Sequence, residues 1–167
     1  MVMFVLTQVT AAAGALFFGF LQDRIGAKRI FSITLGMWIV SIILIYLTPD
    51  LARMLEGVLS RPVHPQYVFL AVGCLAGTGL GATQSSARAM VGRLTPAGRH
   101  AEFFGFWGMT VKIAAIFGIL GLGVFQLVVG LRVAVLLCLV FFVIALLVNV
   151  CVDEKRGMAA AGKLWRL

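Results

Sequence analysis

Within the apolar runs three polar side chains stand out: Gln84, Arg88 and Lys112. Gln84 and Arg88 are four residues apart, so one helical turn puts them on a common face. Lys112 alone interrupts the run 103–131. With a helix starting near Glu102, it lies about 15 Å along the axis, close to the middle of a ~30 Å hydrocarbon layer. A cation at that depth is costly and marks a pathway or a buried partner. Guanidinium and ammonium groups together suit an anionic group, either the carboxylate of a small solute or an Asp or Glu of another helix. For Arg88 a simpler reading also stands, because a guanidinium a few residues from a helix end can reach the interface. Lys112 leaves three readings: a pathway, a structural ion pair, or a helix that begins elsewhere.

The acidic residues constrain the chemistry by where they fall. All six, Asp23, Asp50, Glu56, Glu102, Asp153 and Glu154, lie at span boundaries or in loops, and so do His64 and His100. The chain therefore offers no carboxylate or imidazole within a span for a proton relay. No HExxH, GxSxG or Walker pattern occurs, so an enzyme is not expected, and neither a cofactor nor a metal. The glycine-rich GCLAGTGLGA lies inside an apolar run with no strand before it, which sets aside dinucleotide binding. Cys74, Cys138 and Cys151 fall within spans without a CxxC pair and read as small packing residues.

These side chains must be carried by membrane helices. Of 167 residues 62% are hydrophobic and 12% charged, too few polar groups to clothe a water-soluble domain. Crossing a bilayer takes about 20 apolar residues. Five runs suffice, giving an all-α polytopic bundle with spans near 2–21, 30–48, 67–91, 103–129 and 133–152 and a basic tail over 153–167. The runs lack strand alternation, which excludes a barrel. Residues 1–21 carry no positive n-region and read as a retained helix. The net charge of +8 reads as orientation and not as a nucleic-acid surface. Arg24, Lys28, Arg29, Arg88, Arg93 and Arg99 gather at alternate connections, and Lys155, Arg156, Lys163 and Arg166 in the tail. The other connections hold Arg53, Arg61 and Arg132, with Asp50 and Glu56 beside the first two. That bias places the N-terminus outside and the C-terminus in the cytoplasm of a cell (inner) membrane.

Packing signals accompany the polar ones. Gly73, Gly77, Gly81 and Ser85 recur every four residues, as do Ala11, Ala15 and Gly19, the spacing that lets membrane helices approach closely. At about 100° per residue, Gln84 and Arg88 fall within about 20° of Gly77, so both are expected to point with the glycines into protein. Gly105, Gly108, Ala115 and Gly123 share the face of Lys112 and predict the same for it. Between the second and third spans, Leu51, Met54, Leu55, Val58 and Leu59 form an apolar stripe over about 51–60, with Asp50 placed as an N-cap. It reads as an amphipathic helix on the outer interface, a connector or a lid.

The connection GFLQDRIGAKR follows G-x-x-x-D-R-x-G-x-K-R through Gly19, Asp23, Arg24, Gly26, Lys28 and Arg29. Gly19 permits close helix approach, Gly26 a positive φ in a sharp turn, and Asp23 a cap or an ion pair. The pattern and its place resemble the signature loop of the major facilitator superfamily, which implies a latch between two halves of a transporter. Residues 77–118 resemble, more narrowly, the tenth-to-eleventh helix hairpin of the unknown-major-facilitator family, to which vacuolar amino-acid effluxers are related. The resemblance rests on Gln84, Arg88, Leu94, Pro96, Glu102, Phe103, Phe104, Gly105 and Lys112; Ala87 and Ile119 depart from a serine and a proline. It implies helices eight to twelve of a twelve-helix transporter, a partial C-terminal half. The N-terminal half, or a partner chain of about seven helices, would then complete a cavity that binds a small solute at the midplane. A non-transporting scaffold, an assembly subunit or a degenerate fragment is the competing reading.

Overall fold

The computed structural model describes residues 1–59, 62 and 64–162. Arg61, residue 60 of the expected connector, and the tail from Lys163 through Arg166 lie outside the described residues. Among the described residues there are seven helices and no strand: α1 (Val2–Ile25), α2 (Ala27–Tyr46), α3 (Thr48–Leu59), α4 (Pro65–Leu94), α5 (His100–Val129), α6 (Leu131–Cys151) and α7 (Glu154–Ala160). Five of them, α1, α2, α4, α5 and α6, are long and apolar enough to span a bilayer. The spans run on past the apolar segments, because charge ends the apolar stretch without ending the backbone hydrogen bonding. At about 1.5 Å per residue α4 and α5 approach 45 Å, so they tilt or project beyond a ~30 Å core.

The closest approach is between α1 and α4, which run parallel. Gly73 lies against Met3, Gly77 against Thr7 and Thr10, Gly81 against the backbone of Ala11 and Ala15, and Gly19 opposite Ser85. Gly14 returns the contact, facing the Thr78 carbonyl. A methyl group at Gly14, Gly77 or Gly81 would overlap backbone atoms of the other helix. Burying apolar area gains little in lipid, so contact of this kind supplies the association.

Antiparallel to both, α2 packs on α4 and on α6. Trp38 is the pivot: its Nε1–H donates to Thr83 Oγ1 of α4 (3.0 Å), and its ring stacks on Phe142 of α6 at 5.1 Å. Asn149 of α6 donates to Ser32 of α2 (2.8 Å), one of few polar links between spans. Buried Ser41 and Ser86 return their hydroxyls to carbonyls one turn back, which satisfies them without a partner helix. Phe18, Ile30 and Ala82 form the apolar centre, with Leu21 and Met37 beside them.

The opposite edge of the bundle is looser. α5 touches α6 and, more lightly, α4, and none of its residues is buried. α3 corrects one expectation: it begins at Thr48, so Asp50 is not its N-cap but sits in the first turn. There its carboxylate suits the helix dipole and accepts from Arg132 Nη2 at 2.8 Å. α3 rests Ala52 on the bundle, while Met54 (70% exposed) and Val58 (82%) face outward.

The α1–α4 contact is testable by size. Gly81→Leu should cost about 3 kcal/mol, the upper range of overpacking. Gly118→Leu, where an added Cβ meets nothing within 4 Å, should change little. Denaturant titration of both variants in one detergent checks this, and equal losses would contradict the packing described.

Candidate functional site

The polar residues of α4 and α5 can now be placed. Gly73, Gly77 and Gly81 are buried, yet Gln84 and Arg88 are exposed. The expectation that all five share one protein-facing side is not met within this chain. Successive contacts with α1 follow an every-fourth-residue row, which advances about 40° per step around the helix. By Ser85 the row has turned away, leaving Gln84 about 100° behind it. Along α4 from Val72 to Leu94, Gln84 and Arg88 are the only exposed residues. This helix therefore opens to its surroundings through two polar groups one turn apart.

Lys112 is likewise exposed, about 18 Å along α5 from His100. Gly105, Gly108 and Gly123 on its face have nothing within 4 Å of an added Cβ, and Ala115 is exposed. Sequence periodicity groups these residues with Lys112 as expected, but no described element covers them. Arg88 reaches α5 on another flank, its guanidinium 5.8 Å from the ring centre of Trp107. Trp107 precedes Lys112 by five residues, which is about 140° around the helix. Arg88 and Lys112 thus border α5 on different sides and form no joint cluster.

The charged turn is more compact than a loop. α1 continues to Ile25 and α2 begins at Ala27, so Gly26 alone joins them, at φ +100° and ψ 143°. A side chain is strained at that φ, which accounts for the glycine. Lys28 Nζ donates to the carbonyls of Val150 (3.0 Å) and Val152 at the end of α6. A cation on unsatisfied C-terminal carbonyls completes their hydrogen bonding and opposes the negative end of the dipole. Asp23 neither caps nor pairs among the described residues, because α1 runs through it and α2 receives no side-chain cap. Arg24 and Arg29 are exposed and also without an ion-pair partner among the described residues.

One sequence comparison identifies this architecture: residues 1–162 match the family described as Major Facilitator Superfamily. The chain belongs to the major facilitator superfamily. Comparison with curated proteins and with solved structures found no match. Membrane transport is the work of this superfamily, and the five spans agree with an integral, multi-pass member.

Two features of this major facilitator chain were missed in reading its sequence. The acceptors of Lys28 lie on a helix distant in the chain, and no local spacing points to them. The segment after Asp153, expected only as a basic tail, begins with the short helix α7. Asp153 Oδ1 accepts the Arg156 backbone N–H at 3.0 Å, and Glu154 lies 3.5 Å from Arg93 of α4. A capping Asp followed by Glu was the available signal. Among the described residues no group of His, Cys, Asp and Glu is arranged to hold a metal.

Lys28→Met should lower stability by about 1–2 kcal/mol, as expected for a charge-assisted hydrogen bond partly open to water. Arg29→Met should stay within about 0.5 kcal/mol. Thermal unfolding of the two variants side by side decides whether Lys28 secures α6 or only adds charge to the turn.

Proposed function

We propose that this chain is the larger part of one half of a secondary active transporter for small solutes, working by alternating access. The reading assigns α1, α2, α4, α5 and α6 to helices eight to twelve, a C-terminal half nearest the unknown-major-facilitator and vacuolar effluxer-like proteins. About seven further helices, from an N-terminal half or a partner chain, complete the cavity. The supporting observation is the division of the exposed surface. Over their spans the exposed side chains of α2 and α6, and most of those of α5, are apolar, whereas α4 beyond Val72 exposes only Gln84 and Arg88 and one strip of α5 exposes Lys112 among glycine and alanine. Lipid suits the first side, and a water-filled pathway or a second bundle suits the other. Arg88 and Lys112 then favour a solute bearing an anionic group, such as an amino acid or another organic anion, or a carboxylate of the missing helices.

The turn is the latch in this reading. A carboxylate near a helix C-terminus opposes the dipole, so Asp23 is better served by a cation or a helix N-terminus of the other half. Arg24 and Arg29 are available for the same purpose. The bias of Lys and Arg favours this turn on the cytoplasmic side of a cell membrane, with the N-terminus outside. A second reading, a non-transporting scaffold or assembly subunit, draws on the same uncovered glycine face of α5. It needs no further helices and no charge at position 112.

In the complete transporter, Lys112→Ala should cut flux at least tenfold at equal membrane abundance. Radiolabelled solute uptake normalised to surface protein measures this. Unchanged flux per molecule would remove Lys112 from the pathway and favour the scaffold.

A further inference from the structure

At the end of the bundle away from Gly26, a crevice of about 620 Å³ opens where α2, α3, α4 and α6 converge. Its walls include Ile45, Pro49, Phe69, Leu131 and Val135, and Arg132 stands at its polar edge. We propose that it binds a phospholipid of the adjacent leaflet, with one acyl chain laid in the crevice and the phosphate on Arg132. The proposal concerns a site distinct from the pathway and does not depend on what the protein carries.

The surroundings identify the occupant. Two of the helices that wall the crevice, α2 and α6, expose Ile33, Val40, Ile43, Val140, Ile144 and Val148, which present only hydrocarbon. That surface belongs against lipid. Arg132 is in the first turn of α6 and Tyr46 ends α2, which sets both at headgroup depth, where arginine and tyrosine are stable. The adjoining helix α3 joins the same ends of two spans and turns Met54 and Val58 outward, as an element lying on the bilayer surface would.

Arg132 retains capacity for an anion. A guanidinium has five N–H donors. Nε–H of Arg132 goes to the Tyr46 carbonyl (3.2 Å) and one Nη2–H to Asp50 (2.8 Å). The remaining three meet no acceptor among the described residues. Asp50 also lies 3.8 Å from Arg53, so its charge is shared and only partly neutralises Arg132. The Tyr46 ring, 4.8 Å from the guanidinium carbon, fixes the group without using a donor. A phosphate accepts well from such a fork.

Energetics explain why one lipid should be held more firmly than its neighbours. Moving an acyl chain from bilayer to crevice yields no hydrophobic gain, since both are hydrocarbon. An unfilled crevice instead forfeits dispersion contacts along its walls, and a chain that follows its shape restores them. The phosphate contact adds a charge-assisted bond in a region of lowered dielectric.

The test is native mass spectrometry of the full chain released from micelles containing phosphatidylglycerol. The expected result is one phospholipid per chain surviving activation that strips the rest. Val135→Trp fills the crevice and should reduce the lipid-bound fraction at least tenfold, whereas Ile144→Trp, on the open face of α6, should leave it unchanged. Size-exclusion chromatography verifies that each variant is folded. If Val135→Trp does not fold, Phe69→Ala removes a wall in its place, and the same loss is expected. Absence of a retained lipid on the unaltered chain overturns the proposal. So does equal retention by the folded crevice variant, which would mark the lipid as part of the general annulus.

Discussion

Everything in this bundle follows from how near two backbones come to each other. α1 and α4 meet through Gly14, Gly77 and Gly81, where even one methyl group would collide with main-chain atoms. In water such contact would be one contribution among many; within a bilayer it carries most of the association, because solvent and side chains are equally apolar. Once α1 and α4 are joined, α2 has one groove to enter, and Trp38 settles there between Thr83 and Phe142. The placing of α4 in turn decides what it shows to the outside. Its contact row winds around the helix, and Gln84 and Arg88 emerge where the row has departed.

The charged turn is bound to the same frame by different forces. Gly26 makes the reversal, and Lys28 ties it to the final carbonyls of α6. α7 extends this link to α4 through Glu154 and Arg93. The ends of α2, α4 and α6 on that side are thus joined by polar contacts in a region where water competes for each of them. Asp23, Arg24 and Arg29 are left projecting from this frame. A latch needs that combination, a fixed base with free charges on it.

Much of this was legible in the sequence, for reasons that can be stated. The five spans follow from apolar runs that water could not solvate, and close helix packing from two small-residue series at one spacing, although only the structure pairs α1 with α4. Helix ends were less legible, because Asp23 and Arg24 end the apolar run while the backbone continues to Gly26. Asp50 looked like a cap because the apolar stripe starts at Leu51, whereas the helix itself starts at Thr48. The exposure of Gln84 and Arg88 escaped prediction because a helical wheel places residues around one axis. The direction in which the neighbouring helix crosses is a property of the pair. The acceptors of Lys28 escaped for the simplest reason: they are main-chain atoms, and main-chain atoms have no sequence signature.

The parallel course of α1 and α4 bears on how the protein is made. Two consecutive membrane helices are ordinarily antiparallel, so a parallel pair must wait for the chain to cross back. Of these five spans α1 enters the bilayer before the others and meets α4 only after α2 and α3 have been synthesised. During that interval the backbone surface at Gly14 and Ala11 has lipid against it, or whatever transient companion the insertion machinery provides. In a chain halted before α4, α1 and α2 would form a hairpin lacking its principal contact, with that seam left bare. Biogenesis of this fold therefore has a commitment point, and it lies at the arrival of Gly77 and Gly81.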